Sequence, residues 1–102
     1  MKVYIAGPMT GLPDFNYPAF NAAAEVLAGR GHEPLNPATN PVCDSWEGYM
    51  RHGITQLMQA DAVLLLDGYH NSRGAKLERN IADQLSIPCY RSIGELADGV
   101  SL

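Results

Sequence analysis

In residues 71–85, NSRGAKLERNIADQL, one carboxylate is out of place. On a helical wheel of about 100° per residue, Ala75, Leu77, Ile81, Ala82 and Leu85 gather on one side. Lys76, Arg79, Asn80, Asp83 and Gln84 gather on the other. Glu78 falls in the middle of the apolar side, between Leu85 and Ala82. Burying a carboxylate is costly unless it is paired, hydrogen-bonded or used. Two readings follow. Glu78 is either a partly solvated acid favoured by a helix N-terminus, or a carboxylate in a cleft aimed at a substrate.

The residues just before it bear on that choice. Ser72, Arg73 and Gly74 open the same helix, so a hydroxyl and free backbone N–H groups would meet there, a ready anion site. Arg73 would suit a phosphate, or is a solvated surface residue. A second loop, GPMTG, is neither GxGxxG nor a P-loop. Its Gly7 and Gly11 would let the backbone approach a ligand, with Pro8 and Met9 between them and Thr10 offering a hydroxyl. The bland alternative is a tight strand-to-helix connection. Tyr4 points to the opposite face from Val3 and Ile5, as a core aromatic or as a partner for a carboxylate. Asp61 and Asp67 bracket an apolar run. Asp61 reads as the end of the preceding helix, while Asp67 lies at a strand's carboxyl end, where functional side chains collect. His32, His52 and His70 have no ligand spacing, and no metal site is expected.

The elements that must position these residues follow from periodicity and punctuation. KVYIA is a β-rich run stopped by Gly7-Pro8. Asn16 is placed to cap a helix with Pro18 in its first turn and a stripe of Ala19, Phe20, Ala23, Ala24 and Leu27. HEPLNP gives a short second strand. Asp44 and Glu47 have capping-box spacing before a second helix, with stripe Trp46, Tyr49, Met50, Ile54, Leu57 and Met58. DAVLLLDG is continuously apolar, the mark of a strand covered on both faces and hence of a parallel sheet. IPCYRSI is the fourth strand, and the tail GELADGVSL has room for one more helical turn. The order β-α-β-α-β-α-β predicts a Rossmann- or flavodoxin-like three-layer α/β/α sandwich with a small parallel sheet. Ligands in such folds sit beyond the carboxyl ends of the strands, beside strand 1. The loops after strands 1 and 3 converge there.

Composition narrows the partner. The 102 residues fit one domain, with 46% hydrophobic and 18% charged residues. The net charge of -4 argues against a nucleic-acid polymer, though not against a small nucleotide. No run approaches the length of a membrane span, and the opening residues are too short and polar for a signal peptide. Cys43 and Cys89 have no CxxC or metal-ligand spacing, so two free thiols in a reducing cytoplasm are expected.

VYIAGPMTG at the start, YMR on the second helix, ADAVLLLDG, and then SRGAKLERNIADQLSIP together resemble the nucleoside 2-deoxyribosyltransferase superfamily. The likeness is to a small uncharacterised branch common in phage and prophage genomes, and it runs from about residue 2 to residue 90. Its most specific part is S-x-G-x-x-x-E. The resemblance implies that Glu78 is a nucleophile that attacks C1′ of a deoxyribosyl group, displaces the base and holds a covalent sugar ester. It implies that Tyr4 orients that carboxylate and that the Gly7–Gly11 loop lines the sugar or phosphate. The position six before the nucleophile tends to be Asp in nucleoside transferases and Ser in related nucleotide hydrolases. Ser72 therefore implies a 2′-deoxynucleoside 5′-monophosphate as substrate. One departure stands out. The family pattern YMRxD reads YMRHG here, with Gly53 where an acid assisting at the base is expected.

The expectation is an N-glycosidase, hydrolytic or transferring, without metal or organic cofactor. The alternative is a nucleotide-sequestering protein that has kept the pocket and lost efficient chemistry. A flavin or generic nucleotide domain on a similar fold is a third reading; a flavin would show as yellow colour in the purified protein, and none is expected. Relatives assemble as dimers or larger, so a homodimer is expected, with Trp46, Tyr49 and Met50 as either interface or core.

Overall fold

Strand β1, Lys2–Ala6, is buried from Val3 onward and lies inside the sheet. A computed structural model of the chain describes residues 1–96. β1 pairs in parallel with β2, Glu33–Leu35, on one side and with β3, Ala62–Leu65, on the other. β3 pairs in parallel with β4, Cys89–Tyr90. The order β2-β1-β3-β4 means that the chain reverses direction across the sheet at β1. That is where crevices open beyond the strand ends in parallel α/β folds.

Strand alternation sorts the core into two halves. Val3, Ile5, Ala62 and Leu64 face helix α1, Tyr17–Gly29, and meet its Phe20, Ala23 and Leu27. Tyr4, Ala6, Val63 and Leu65 face the other way. There they meet Leu57 of helix α2, Trp46–Leu57, and Ala75 and Ala82 of helix α3, Arg73–Gln84. The result is the expected three-layer sandwich, with one helix on one face and two on the other. All four residues of β3 are buried, as a strand covered on both faces requires.

Local details differ from the sequence expectations. Asn16 does stand at the N-cap of α1, but its φ is 61° and its side chain caps nothing. Instead Nδ2 donates to the Pro8 carbonyl at 3.0 Å, tying the loop after β1 to the helix start. The cap of α2 is Ser45, not Asp44: the Ser45 hydroxyl accepts from Gly48 N at 3.0 Å. Ala19 is exposed on α1. On α3 the buried seam is Ala75, Glu78 and Ala82, while Leu77 and Leu85 are 36% and 55% exposed. Two alanines bring the helix close to the sheet along a narrow line, and the flanking leucines fall outside it. After β4 a single 3-10 turn spans Ile93–Glu95. The remainder of the tail lies outside the described residues.

Candidate active site

Three elements bring one residue each to a single point. Tyr4 comes from the middle of β1, Glu78 from the second turn of α3, and Gly53 from the middle of α2. Tyr4 is 1% exposed and Glu78 6% exposed. The Tyr4 hydroxyl donates a short hydrogen bond to Glu78 Oε2. Burial pushes the Glu78 carboxyl up from 4.5 to about 7, and the Tyr4 hydrogen bond works against that rise by favouring the ionised form. The Tyr4 phenol is held well above its ordinary 10.0, first by burial and then by the carboxylate beside it. Tyr4 thus stays a donor at any working pH, while Glu78 changes charge near neutrality.

Glu78 Oε1 is different from Oε2. Among the described residues it has no hydrogen-bond partner, yet the buried polar atoms without a partner number only His32 Nε2 there. Oε1 therefore keeps its access to the adjoining cleft, which has a volume of about 590 Å³ and has Glu78 and Tyr4 in its wall. One oxygen is clamped and the other is free to act.

The cleft gathers most of the residues expected from the sequence. Gly7, Pro8, Met9 and Thr10 line it from the loop after β1, and Ser72, Arg73 and Gly74 from the start of α3. Gly7 is needed for close approach, since a Cβ there would stand 2.8 Å from Leu66 Cβ. Ser72 is the N-cap of α3, its Oγ accepting from Ala75 N at 3.2 Å. The hydroxyl hydrogen is left for a ligand. The N–H groups of Arg73 and Gly74 have no intrahelical partner by position and carry the positive end of the helix dipole. The Arg73 guanidinium lies 3.7 Å above the centre of the Trp46 ring. Gly11 (φ 82°) and Asp67 lie outside the cleft lining, and Asp67 is exposed. The other expected site residues converge without them.

The aromatic wall was not expected from the sequence. Trp46, Tyr49 and Met50 line the cleft from α2, together with Phe15 and Tyr17 from the opposite loop and helix start. Trp46, Tyr49, Met50 and Gly53 are spaced i, i+3, i+4, i+7, so one helix face carries both the aromatics and the glycine. That spacing was the available signal. Phe15 stands 57% exposed in a run of three left-handed residues, Asp14, Phe15 and Asn16. Such a backbone is sparsely populated by non-glycine residues. Among the described residues no cluster of His, Cys, Asp or Glu is arranged to hold a metal ion, and no helix is long and apolar enough to cross a membrane.

Fold and site together define a flavodoxin-like α/β domain with a buried, tyrosine-bound carboxylate at the floor of a cleft beyond its strand ends. A family model described as a domain of unknown function (DUF4406) matches residues 1–90, and the chain belongs to that family. Among solved structures, a 2-deoxyribosyltransferase from the psychrotolerant bacterium Bacillus psychrosaccharolyticus is similar, with a TM-score of 0.68 and 20% identity. The match covers 87% of this chain and 69% of that one, and what it carries is the fold. No curated protein matches the chain.

Proposed function

We propose that this domain cleaves the base–sugar bond of a 2′-deoxynucleoside 5′-monophosphate, with Glu78 as the nucleophile. The observation that carries the reading is the buried Tyr4–Glu78 pair facing the cleft. Oε1 attacks C1′, the C1′–N bond breaks, and its electron pair leaves with the base, which takes its proton from solvent. A glycosyl ester of Glu78 remains. Water then attacks C1′, releasing deoxyribose 5-phosphate and restoring the carboxylate; a second base in place of water gives a new nucleotide. Tyr4 donates to Oε2 throughout and keeps the carboxylate plane fixed.

Ser72, Arg73 and the first turn of α3 support a phosphate at the cleft's cationic end. The aromatic wall of Trp46, Tyr49 and Phe15 suits stacking on a base. The chain acts without metal or organic cofactor in this reading, and as a homodimer whose second copy closes the open side of the cleft. Light scattering tests the dimer, and a mass equal to one 11.0 kDa chain rejects it.

The chemistry is tested by incubating the protein and its Glu78→Ala variant with the four deoxynucleoside monophosphates and, separately, the nucleosides. Chromatography follows the free base. Release that disappears with Glu78→Ala supports the reading and names the substrate. A second reading, nucleotide binding without turnover, is favoured by Gly53, which leaves α2 without an acid to protonate the departing base. General acid catalysis typically contributes on the order of 10²–10⁴ in rate. Calorimetric binding with no base release would select it.

A further inference from the structure

Helix α2 touches α3 through two glycines. At Gly74 a Cβ would stand 2.9 Å from Met50 Sδ, the movable end of a flexible side chain. At Gly53 a Cβ would stand 2.7 Å from Glu78 Oε2 and 2.7 Å from the Tyr4 hydroxyl oxygen. Real Cβ atoms do not come that close to either oxygen. Those two oxygens are also hydrogen-bonded to each other and buried, so neither can swing aside without breaking the pair. Gly53 is itself buried and lies inside the helix. An interior glycine costs a helix stability relative to alanine, so its presence on α2 calls for a reason. The close approach supplies it.

We infer that Gly53 is a positioning residue: its missing side chain lets the α2 backbone rest on Oε2 of Glu78 and the Tyr4 hydroxyl. That contact locks Oε2 against Tyr4 and leaves Oε1 to face the substrate. The α2 backbone also keeps water from the clamped oxygen, so the carboxyl resists ionisation until near neutrality. The same contact leaves no volume for an acid at this position, and the departing base draws its proton from elsewhere. The role in reaction rests on the reading of Glu78 as nucleophile. The positioning itself does not, because the carboxyl can be titrated without a substrate.

The test is Gly53→Ala, with Gly29→Ala as control. Gly29 is the last residue of α1 and has open space where its Cβ would go. Carboxyl infrared bands, assigned by their absence from Glu78→Ala, follow ionisation of Glu78 with pH. The expected result for Gly53→Ala is a midpoint moved above about 7, as the added methyl breaks the Tyr4 hydrogen bond that favours the ionised form and shields Oε2 further. Base release should fall on the order of 10²-fold, the usual effect of misplacing a reacting group by about an ångström. Gly29→Ala should leave both readouts unchanged. An unmoved midpoint in Gly53→Ala would overturn the inference even if the wild type releases no base. Conversely, a wild type that releases no base, with a midpoint that does move in Gly53→Ala, would sink the nucleophile and keep the positioning. Stability gives a second, independent readout. Gly53→Ala should lower Tm by about 4 °C or more through overpacking. In a Tyr4→Phe/Glu78→Ala background, where neither oxygen remains, the same substitution should raise Tm or leave it unchanged. An equal loss in both backgrounds would overturn the inference, and this comparison holds even if Gly53→Ala alone fails to fold.

Discussion

Replacing Glu78 by glutamine is expected to stabilise the protein at high pH while ending its chemistry. The magnitude follows from the carboxyl's position at about 7 instead of 4.5, caused by burial and opposed by the Tyr4 hydrogen bond. Each pH interval of one is worth about 1.4 kcal/mol, so the ionised carboxylate costs the folded state about 3 kcal/mol. The sign is set by proton binding. Between 4.5 and about 7 the folded chain holds a proton that the unfolded chain has released. The contribution of Glu78 to stability is therefore complete below the unfolded value and is lost as pH rises through about 7. Glutamine cannot ionise, and its carbonyl still accepts from Tyr4. At pH 5, just above the unfolded value, the variant should lead by only about 1 kcal/mol. At pH 9 the variant should be more stable by about 3 kcal/mol, equivalent to a Tm rise on the order of 10 °C. Urea titrations at both pH values and constant ionic strength measure the difference, in which all other titrating groups cancel. A stability gap that is the same at pH 5 and pH 9, or a variant less stable at pH 9, would refute the argument that burial governs this carboxyl. Base release should vanish at both, since a neutral amide is no nucleophile.

Other consequences are open to direct measurement. The kcat/KM for base release should rise about tenfold per pH unit on the acid side and level off near pH 7, because attack needs the ionised Oε1; a flat profile from pH 5.5 to 8.5 would contradict it. Tyr4→Phe removes the one hydrogen bond that favours the carboxylate, so the infrared midpoint of Glu78 should move above 7, with a stability loss of about 1–3 kcal/mol. Ser72→Asp keeps a good helix cap but sets a charge against a phosphate, so Tm should hold while KM for monophosphates rises about tenfold or more and KM for nucleosides does not. Arg73→Ala strips the guanidinium from the ring of Trp46, the chain's single tryptophan. Nucleotide titration followed by tryptophan emission should then show affinity down by about tenfold or more.

Much of this site was legible one element at a time. The continuous apolar run at residues 62–65 announced a strand covered on both faces, and strand alternation put Tyr4 opposite Val3 and Ile5. The 3.6-residue period put Glu78 on the buried side of α3. The same wheel also buried Leu77 and Leu85, which are exposed, because periodicity gives a direction but not the width of the surface beneath. The capping spacing of Asp44 and Glu47 suggested a helix start that Ser45 in fact provides, one residue along. Neighbouring polar side chains compete for the same backbone N–H groups, and the path of the loop chooses between them. Asp67, at the carboxyl end of β3, where functional side chains collect, was expected among the site residues. It lies outside the cleft, since the left-handed Gly68 and the turn after it carry the chain onward to α3.

The sequence by itself determined the parallel α/β order, the two loops that meet beyond the strands, and the one carboxylate that had to be buried. These depend on local periods and punctuation, which a chain carries wherever it goes. Only the tertiary structure decided which of the carboxylate's oxygens Tyr4 clamps, and that α2 turns its aromatic face to the cleft. It also decided what Gly53 is for. Tyr4 and Glu78 are 74 residues apart along the chain, and Gly53 lies between them in sequence on a different helix. Their meeting depends on the distance between two packed helices and a strand. That distance is set by the side chains a glycine lacks, and no local pattern records it.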